Sequence, residues 1–157
     1  MEIETLNHPQ TIEILRVQVP GVFALPAVHQ WLQRLIAEMT FPNPEEVLNF
    51  LASECVYPGC QVLLGLEDNV PKALSVCILP MSPLMVEPQV VAAYNDGSLE
   101  LGQKLCAETV SFVKAAGFTK LMFVNRTGHA DEVIFRRWAP HGKGTKYGSL
   151  LEFTIKE

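Results

Sequence analysis

Four cysteines, a glycine-lysine turn and one basic stretch are the residues whose chemistry can be judged from type and spacing alone. Cys55 and Cys60 flank Val56, Tyr57, Pro58 and Gly59, while Cys77 and Cys106 stand apart. Zinc needs a tighter pair or a matched second pair, so this spacing predicts buried free thiols and no metal. Residues 142–145 read Gly-Lys-Gly-Thr, but no glycine stands five residues before Gly142 and the segment follows a helical stretch, not a strand. It reads as a flexible turn and not as a phosphate loop. Arg136, Arg137, His141, Lys143 and Lys146 form the one basic stretch. Its two readings are a solvated helix end with its loop and a landing site for an anionic group. Asn125, Arg126 and Thr127 match a glycosylation acceptor, which matters only in a secreted chain. Neither a serine nucleophile elbow nor a His-Glu metal helix occurs.

The bulk numbers narrow the setting. The chain has 157 residues, of which 48% are hydrophobic and 18% charged, with mean hydropathy +0.19. That length suits one domain, 1–157, with a core of its own, and the composition excludes a disordered chain. A net charge of −5 and a pI near 5.4 argue against holding nucleic acid by broad phosphate neutralisation. No charged segment followed by an apolar one opens the chain, and its most apolar stretch, 73–86, is broken by Pro80 and Pro83. Neither a secretory signal nor a membrane span is expected, so the thiols point to a reducing compartment such as the cytoplasm.

Hydrophobic periodicity supplies the elements. Residues 11–19 carry β-branched side chains in near alternation and end at Pro20-Gly21, which predicts a first strand. Over 27–39, Val28, Trp31, Leu32, Leu35, Ile36 and Met39 recur at helical steps; a shorter helix follows Asn43-Pro44, burying Val47, Leu48 and Leu51. Residues 61–66 and 73–79 read as a hairpin joined by the polar turn 67–72. Residues 89–94 form a strand whose Val90, Val91, Ala92 and Ala93 are apolar on both faces, as an interior strand requires. The helix that follows has Leu101, Leu105, Thr109, Phe112 and Ala116 on one stripe and Glu100, Lys104, Glu108 and Ser111 on the wet side. Lys114 and Gly117 close it. A strand at 119–124, a short helix at 129–138 and a last strand at 147–155 complete the chain. The helix between Tyr94 and Thr119 is long enough to be a crossover, which allows its flanking strands to be parallel.

This order of elements resembles the GNAT family of acetyl-CoA-dependent N-acetyltransferases. The residues that carry the resemblance are 94–98, Tyr-Asn-Asp-Gly-Ser, leading into the long helix that ends at 114–121, and 121–125, Leu-Met-Phe-Val-Asn, running into 129–138. It covers roughly 61–155, with the N-terminal part matched by element order only. The resemblance implies an α/β (α+β) fold with a mixed, mostly antiparallel sheet of about six or seven strands, about four helices and a splayed pair of parallel central strands. It also implies acetyl transfer from acetyl-CoA to a small-molecule or protein amine, with no nucleic-acid or membrane partner; a homo-oligomer is compatible with it.

Carried over residue by residue, the pantetheine arm of acetyl-CoA would lie along Val91, Ala92 and Ala93, with Asn125 on the facing strand. The diphosphate would sit over Asp96, Gly97, Ser98 and Leu99, where a helix start offers amides to an anion. Those four residues read equally as an ordinary capped helix start. The family's usual loop has Arg or Gln, two residues, Gly, one residue, then Gly or Ala; this chain has only Gly97 and Gly102, no Lys or Arg from 92 to 103, and carboxylates at Asp96 and Glu100. The family's acid is often a tyrosine in the short helix, and the matching position here is Phe135. Tyr94, Tyr147, His129 and His141 are the candidates to replace it, and Glu87 is the candidate base, directly or through water. Short GNAT-like proteins of this kind include ones carried by tailed bacteriophages as virion or accessory proteins. A second expectation is therefore a non-catalytic binding or assembly protein of the same fold, in the virion if phage-encoded.

Overall fold

The computed structural model describes residues 11–38, 44–80, 87–124, 138, 141–147 and 150–156. Strand β1 (Ile12–Arg16) leads through a 3-10 turn (Pro20–Ala24) to helices α1 (Pro26–Glu38) and α2 (Pro44–Glu54). Then follow β2 (Cys60–Glu67), β3 (Val70–Ile78), β4 (Gln89–Asn95), α3 (Leu99–Ala115), β5 (Lys120–Val124), β6 (Gly142–Tyr147) and β7 (Leu150–Ile155). The strands form one sheet in the order β1-β2-β3-β4-β5-β7-β6. Every pairing is antiparallel except β4 with β5. The α3 crossover is what permits that parallel pair, because a tight turn cannot connect two strands running the same way.

Alternation along the strands sorts side chains onto two covered faces. On one face Val62, Leu64, Leu74, Val76, Ile78 and Ala92 pack against Val28, Trp31 and Leu32 of α1 and Leu51 of α2. On the other, Cys106, Val110 and Val113 of α3 cover Leu121, Phe123, Phe153 and Ile155, and Leu101 and Leu105 cover Leu63 and Ala73. Fully burying each such aliphatic or aromatic side chain stabilises by about 1.5–3 kcal/mol. Covering both faces is why β2 and β3 read as near-continuous apolar runs. Helix α3 ends as its sequence predicts, with Lys114 in the last turn and Gly117 at φ 88°. Glu100 and Lys104 pair at 4.0 Å on its exposed side.

Three expected boundaries need correcting. The 67–72 turn is shorter: Asp68 and Asn69 alone make it, at φ 49° and 66°, and Val70 and Pro71 already belong to β3. A two-residue turn with both centres at positive φ matches the twist of the flanking strands. Residues 142–145 are not a flexible turn but part of edge strand β6, paired from Gly142↔Ile155 to Tyr147↔Leu150. The last strand expected at 147–155 is therefore the return arm of a hairpin. Periodicity hides β6 because its glycines supply no alternating bulk, yet Gly142 is needed there: a Cβ would run into the Thr154 carbonyl oxygen. The short helix expected at 129–138 falls, apart from Trp138, outside the described residues. Trp138 stacks on Phe123 at 5.8 Å and is buried with the α3-side cluster.

Candidate functional site

The site grows from one irregularity in β4. Val76 pairs with Ala92 and Cys77 with Val90, so Val91 is an extra residue on β4 with no counterpart on β3. Such a bulge bends its strand and increases the local twist. It also resets the alternation. Val90 packs with the α3-side cluster, while Val91 and Ala92 both pack on the α1 side, as does Tyr94. Without the bulge Tyr94 would share a face with Val90 and miss α1.

The pairing of β4 with β5 ends at the same point. Only Gln89↔Met122 and Val90↔Phe123 pair across the two, although β4 continues to Asn95. Past that apex, residues 91–95 have no strand partner on the β5 side among the described residues. Ala93 is accordingly exposed, although its strand lies mid-sheet. Among the described residues, the β4 backbone past Val90 is thus a wall with no strand bonded to it on that side. An extended ligand bearing amides can bond to such a wall as an added strand does.

Asp96, Gly97, Ser98 and Leu99 stand at the open end of β4, where α3 begins. Their amides are mostly engaged. Asp96 N–H donates to the Lys72 carbonyl at 2.8 Å, and Gly97 N–H to Asn95 Oδ1 at 2.8 Å. Ser98 N–H donates to Glu67 Oε1 at 2.6 Å. Ser98 is also the N-cap, its Oγ accepting from Leu101 N–H at 3.1 Å. Glu67 is only 6% exposed, so a carboxylate from the end of β2 fills the positive end of α3 from inside the protein. Gly97 is a glycine because of that group: a Cβ there would lie 2.5 Å from Glu67 Oε1 and 2.9 Å from Leu101 Cδ2. The α3 start as it stands therefore has neither the room nor the free amides at 96–98 for a diphosphate, while β4 past Val90 has no strand bonded to it on the β5 side among the described residues.

Near the apex lies a second pair of acids. Glu87 precedes β4, and Glu152 of β7 is opposite Met122, which is itself opposite Gln89. Glu87 Oε2 is buried with no hydrogen-bond donor among the described residues. Its carboxyl faces that of Glu152, so a bond between them requires a proton on one of the two. Burial, then the hydrogen bond and charge of Glu152, push the Glu87 carboxyl above its ordinary range, and Lys120 opposes the shift. Lys120 Nζ is 3.5 Å from Glu152 Oε1. A carboxyl raised in this way is a better acceptor for an amine proton than an ordinary one.

Tyr94 does not reach this apex. Tyr94 stacks on Trp31 with centroids 5.1 Å apart, and its hydroxyl accepts from Arg34 Nη1 at 3.1 Å. It stands seven positions after Glu87, one of them taken up by the bulge, so the two are roughly 20 Å apart along the strand. They cannot serve one reacting carbon. Tyr147 ends β6 in register with Leu150 and, through it, Val124, which puts its backbone at the open end of β5; its side chain falls outside the described residues. His141 precedes β6 at the opposite end, its carbonyl accepting from Lys156 N–H. Asn125, His129 and Phe135, with Arg136 and Arg137 of the basic stretch, lie outside the described residues. No group of three or more potential metal ligands exists among the described residues, and none of their helices is long and apolar enough to cross a membrane.

Sequence reasoning missed Glu67 and Glu152. Each had a signal, a lone carboxylate in an otherwise apolar strand run. The alternation of β2 puts Glu67 on the same face as Leu63 and Gly65, beneath α3.

No protein-family model matches the chain, and no curated protein matches it. Solved structures do. An acetyltransferase of the GNAT family from Staphylococcus aureus superposes with TM-score 0.65 at 12% identity, covering 93% of this chain and 100% of that one. PaiA N-acetyltransferase from Thermoplasma acidophilum, solved in complex with coenzyme A, gives 0.62 at 13% identity over 92% and 99%. An acetyltransferase from Thermus thermophilus gives 0.58 at 20% identity over 91% and 95%. With its seven-stranded mixed sheet, α3 crossover and parallel β4–β5 pair, the chain has the fold of the GNAT acetyltransferases.

Proposed function

We propose that the chain is an N-acyltransferase that takes its acyl group from a thioester of the acetyl-CoA type, seated against β4, and delivers it to an amine. The observation that carries this reading is that the β4–β5 pairing ends at Val90 and Phe123, at the Val91 bulge. It leaves a backbone wall along Val91, Ala92 and Ala93 for the amides of a pantetheine arm, with Asn125 next after β5. Acyl transfer forms a C–N bond, breaks a C–S bond and requires the amine to give up a proton. Glu87, sharing its proton with Glu152 near the last β4–β5 pair, is the group suited to accept it. Two acids on that face also favour a cationic amine, whether on a small molecule or a protein. Tyr147 is the stronger of the two tyrosine candidates for the leaving thiolate, because its strand borders the open end of β5.

The test is a thermal-shift titration followed by a thiol-release assay with a panel of primary amines. A thioester at 100 times its dissociation constant stabilises by about 2.7 kcal/mol. Stabilisation together with amine-dependent thiol release supports the reading; the absence of both with acetyl-CoA and with acetyl-pantetheine overturns it.

A second reading is a non-catalytic protein of this fold, a binding or assembly component such as a phage virion or accessory protein. The observation that favours it is Glu67 seated on Ser98 N–H, with Asp96 and Glu100 alongside. It predicts a defined oligomer by light scattering and no thermal response to any thioester.

A further inference from the structure

We infer that the donor is recognised through its acylated pantetheine arm alone, the place of a nucleotide diphosphate on α3 being taken by the carboxylate of Glu67. This rests on the acyltransferase reading and narrows its substrate class.

Three observations carry it. The first is occupancy. Of the amides that open α3 and its approach, those of Asp96, Gly97, Ser98 and Leu101 already donate to Lys72, Asn95, Glu67 and Ser98. What remains is the pair at Leu99 and Glu100, too few to cradle a diphosphate, which needs several converging donors. The second is space. Gly97 and the Glu67 carboxylate are in such close approach that even a methyl group cannot enter between them. A phosphate oxygen seeking the Gly97 and Ser98 amides would have to evict Glu67, which is buried with Leu63 and Leu66 beside it in β2. The third is charge. Glu67, Asp96 and Glu100 bring carboxylates to this loop, and no Lys or Arg occurs from 92 to 103. A multiply charged diphosphate would meet like charge, which disfavours binding.

The β4 wall has none of these obstacles. Residues 91–95 lie beyond the last β4–β5 pair, and a pantetheine arm, uncharged and carrying amides spaced along a chain, matches that wall as an added strand. The donor is then an acyl-pantetheine thioester, supplied free or on the prosthetic arm of a carrier protein.

Calorimetric titration of the wild-type chain with acetyl-pantetheine, acetyl-CoA and an acetylated carrier protein tests this. Dissociation constants for acetyl-pantetheine and acetyl-CoA within roughly threefold of each other are expected. A carrier bound about tenfold tighter than the free arm assigns the source to a carrier, and equal binding assigns it to the free thioester. Acetyl-CoA bound more than about thirtyfold tighter than acetyl-pantetheine overturns the inference and leaves the acyltransferase reading standing. If none of the three binds, the acyltransferase reading fails, and the inference with it. Glu67→Gln keeps the side chain's shape and its acceptor while removing the charge. It is expected to shift preference toward acetyl-CoA by about tenfold, and an unchanged ratio in a variant that melts normally counts against the inference.

Discussion

The Glu67 carboxylate accepts a hydrogen bond from the backbone N–H of Ser98 at 2.6 Å, so the positive end of α3 is neutralised by the protein's own β2 strand. This contact links three features otherwise unrelated in sequence: a lone acid closing an apolar strand, a glycine at 97 and a serine cap at 98. It also separates two functions that a helix start can perform, holding the fold together and holding an anion.

Gly97→Ala is expected to destabilise the protein. The added Cβ meets Glu67 Oε1 at 2.5 Å and Leu101 Cδ2 at 2.9 Å, and both neighbours are buried. Overpacking of this kind costs about 1–3 kcal/mol. Urea unfolding measures it; a midpoint equal to wild type would mean that Glu67 is free to move aside.

Ser98→Ala removes the acceptor for Leu101 N–H while leaving the Glu67 bond to the backbone in place. Loss of an N-cap costs about 1 kcal/mol. Since the Glu67 carboxylate still complements the helix end, a loss above about 2 kcal/mol would show that the serine does more than cap. The same unfolding experiment decides it.

Glu87 predicts a pH dependence whose sign follows from its raised pKa. The folded state favours the protonated carboxyl, so this stabilising contribution is complete below the ordinary value of 4.5 and is lost as pH rises through the folded-state value. Glu87→Gln should therefore melt higher than wild type at alkaline pH and show a flatter pH profile. Thiol release by the wild type should rise with pH as Glu87 gives up its proton, and the variant should lose that limb. A wild-type rate that does not vary with pH through the acidic and neutral range would remove Glu87 from the reaction.

None of the four cysteines forms a disulfide, and all are buried. Burial pushes the Cys77 thiol up to about 12, with Cys60 adding to it; burial also pushes Cys60 up to about 11, with the charges of Cys55 and Glu54 adding. The thiolate is the reactive form, so these thiols are expected to resist a disulfide reagent in the native state and to react in denaturant. Rapid native labelling of Cys77 would contradict the packing between β3 and α3.

Much of this was legible in the residues. The stripe Leu101, Leu105, Thr109, Phe112 and Ala116 announced α3, although Val113 beside it is buried in place of the last two, and the helix's length allowed the parallel pair beside it. Val91, Ala92 and Ala93, the residues expected along the arm, follow directly after the last β4–β5 pair, Val90 with Phe123. What stayed hidden depends on contacts between distant residues. The bulge at Val91 is a register relation between β3 and β4, and an all-apolar run such as Val90 to Ala93 carries no alternation to reveal a skipped residue. Glu67 and Ser98 are 31 residues apart, and nothing local says that one ends beside the other. Strand β6 was lost because Gly142 and Gly144 read as a turn when considered alone, although pairing with β7 holds them extended.

The most direct test of the β4 wall is a nitrogen–proton correlation spectrum of the labelled protein titrated with acetyl-pantetheine. Shifts concentrated in the amides of Val91, Ala92, Ala93 and Tyr94, with smaller ones at Val90 and Phe123, are the predicted result. Perturbation confined to other parts of the sheet, or none at saturating ligand, would contradict the account.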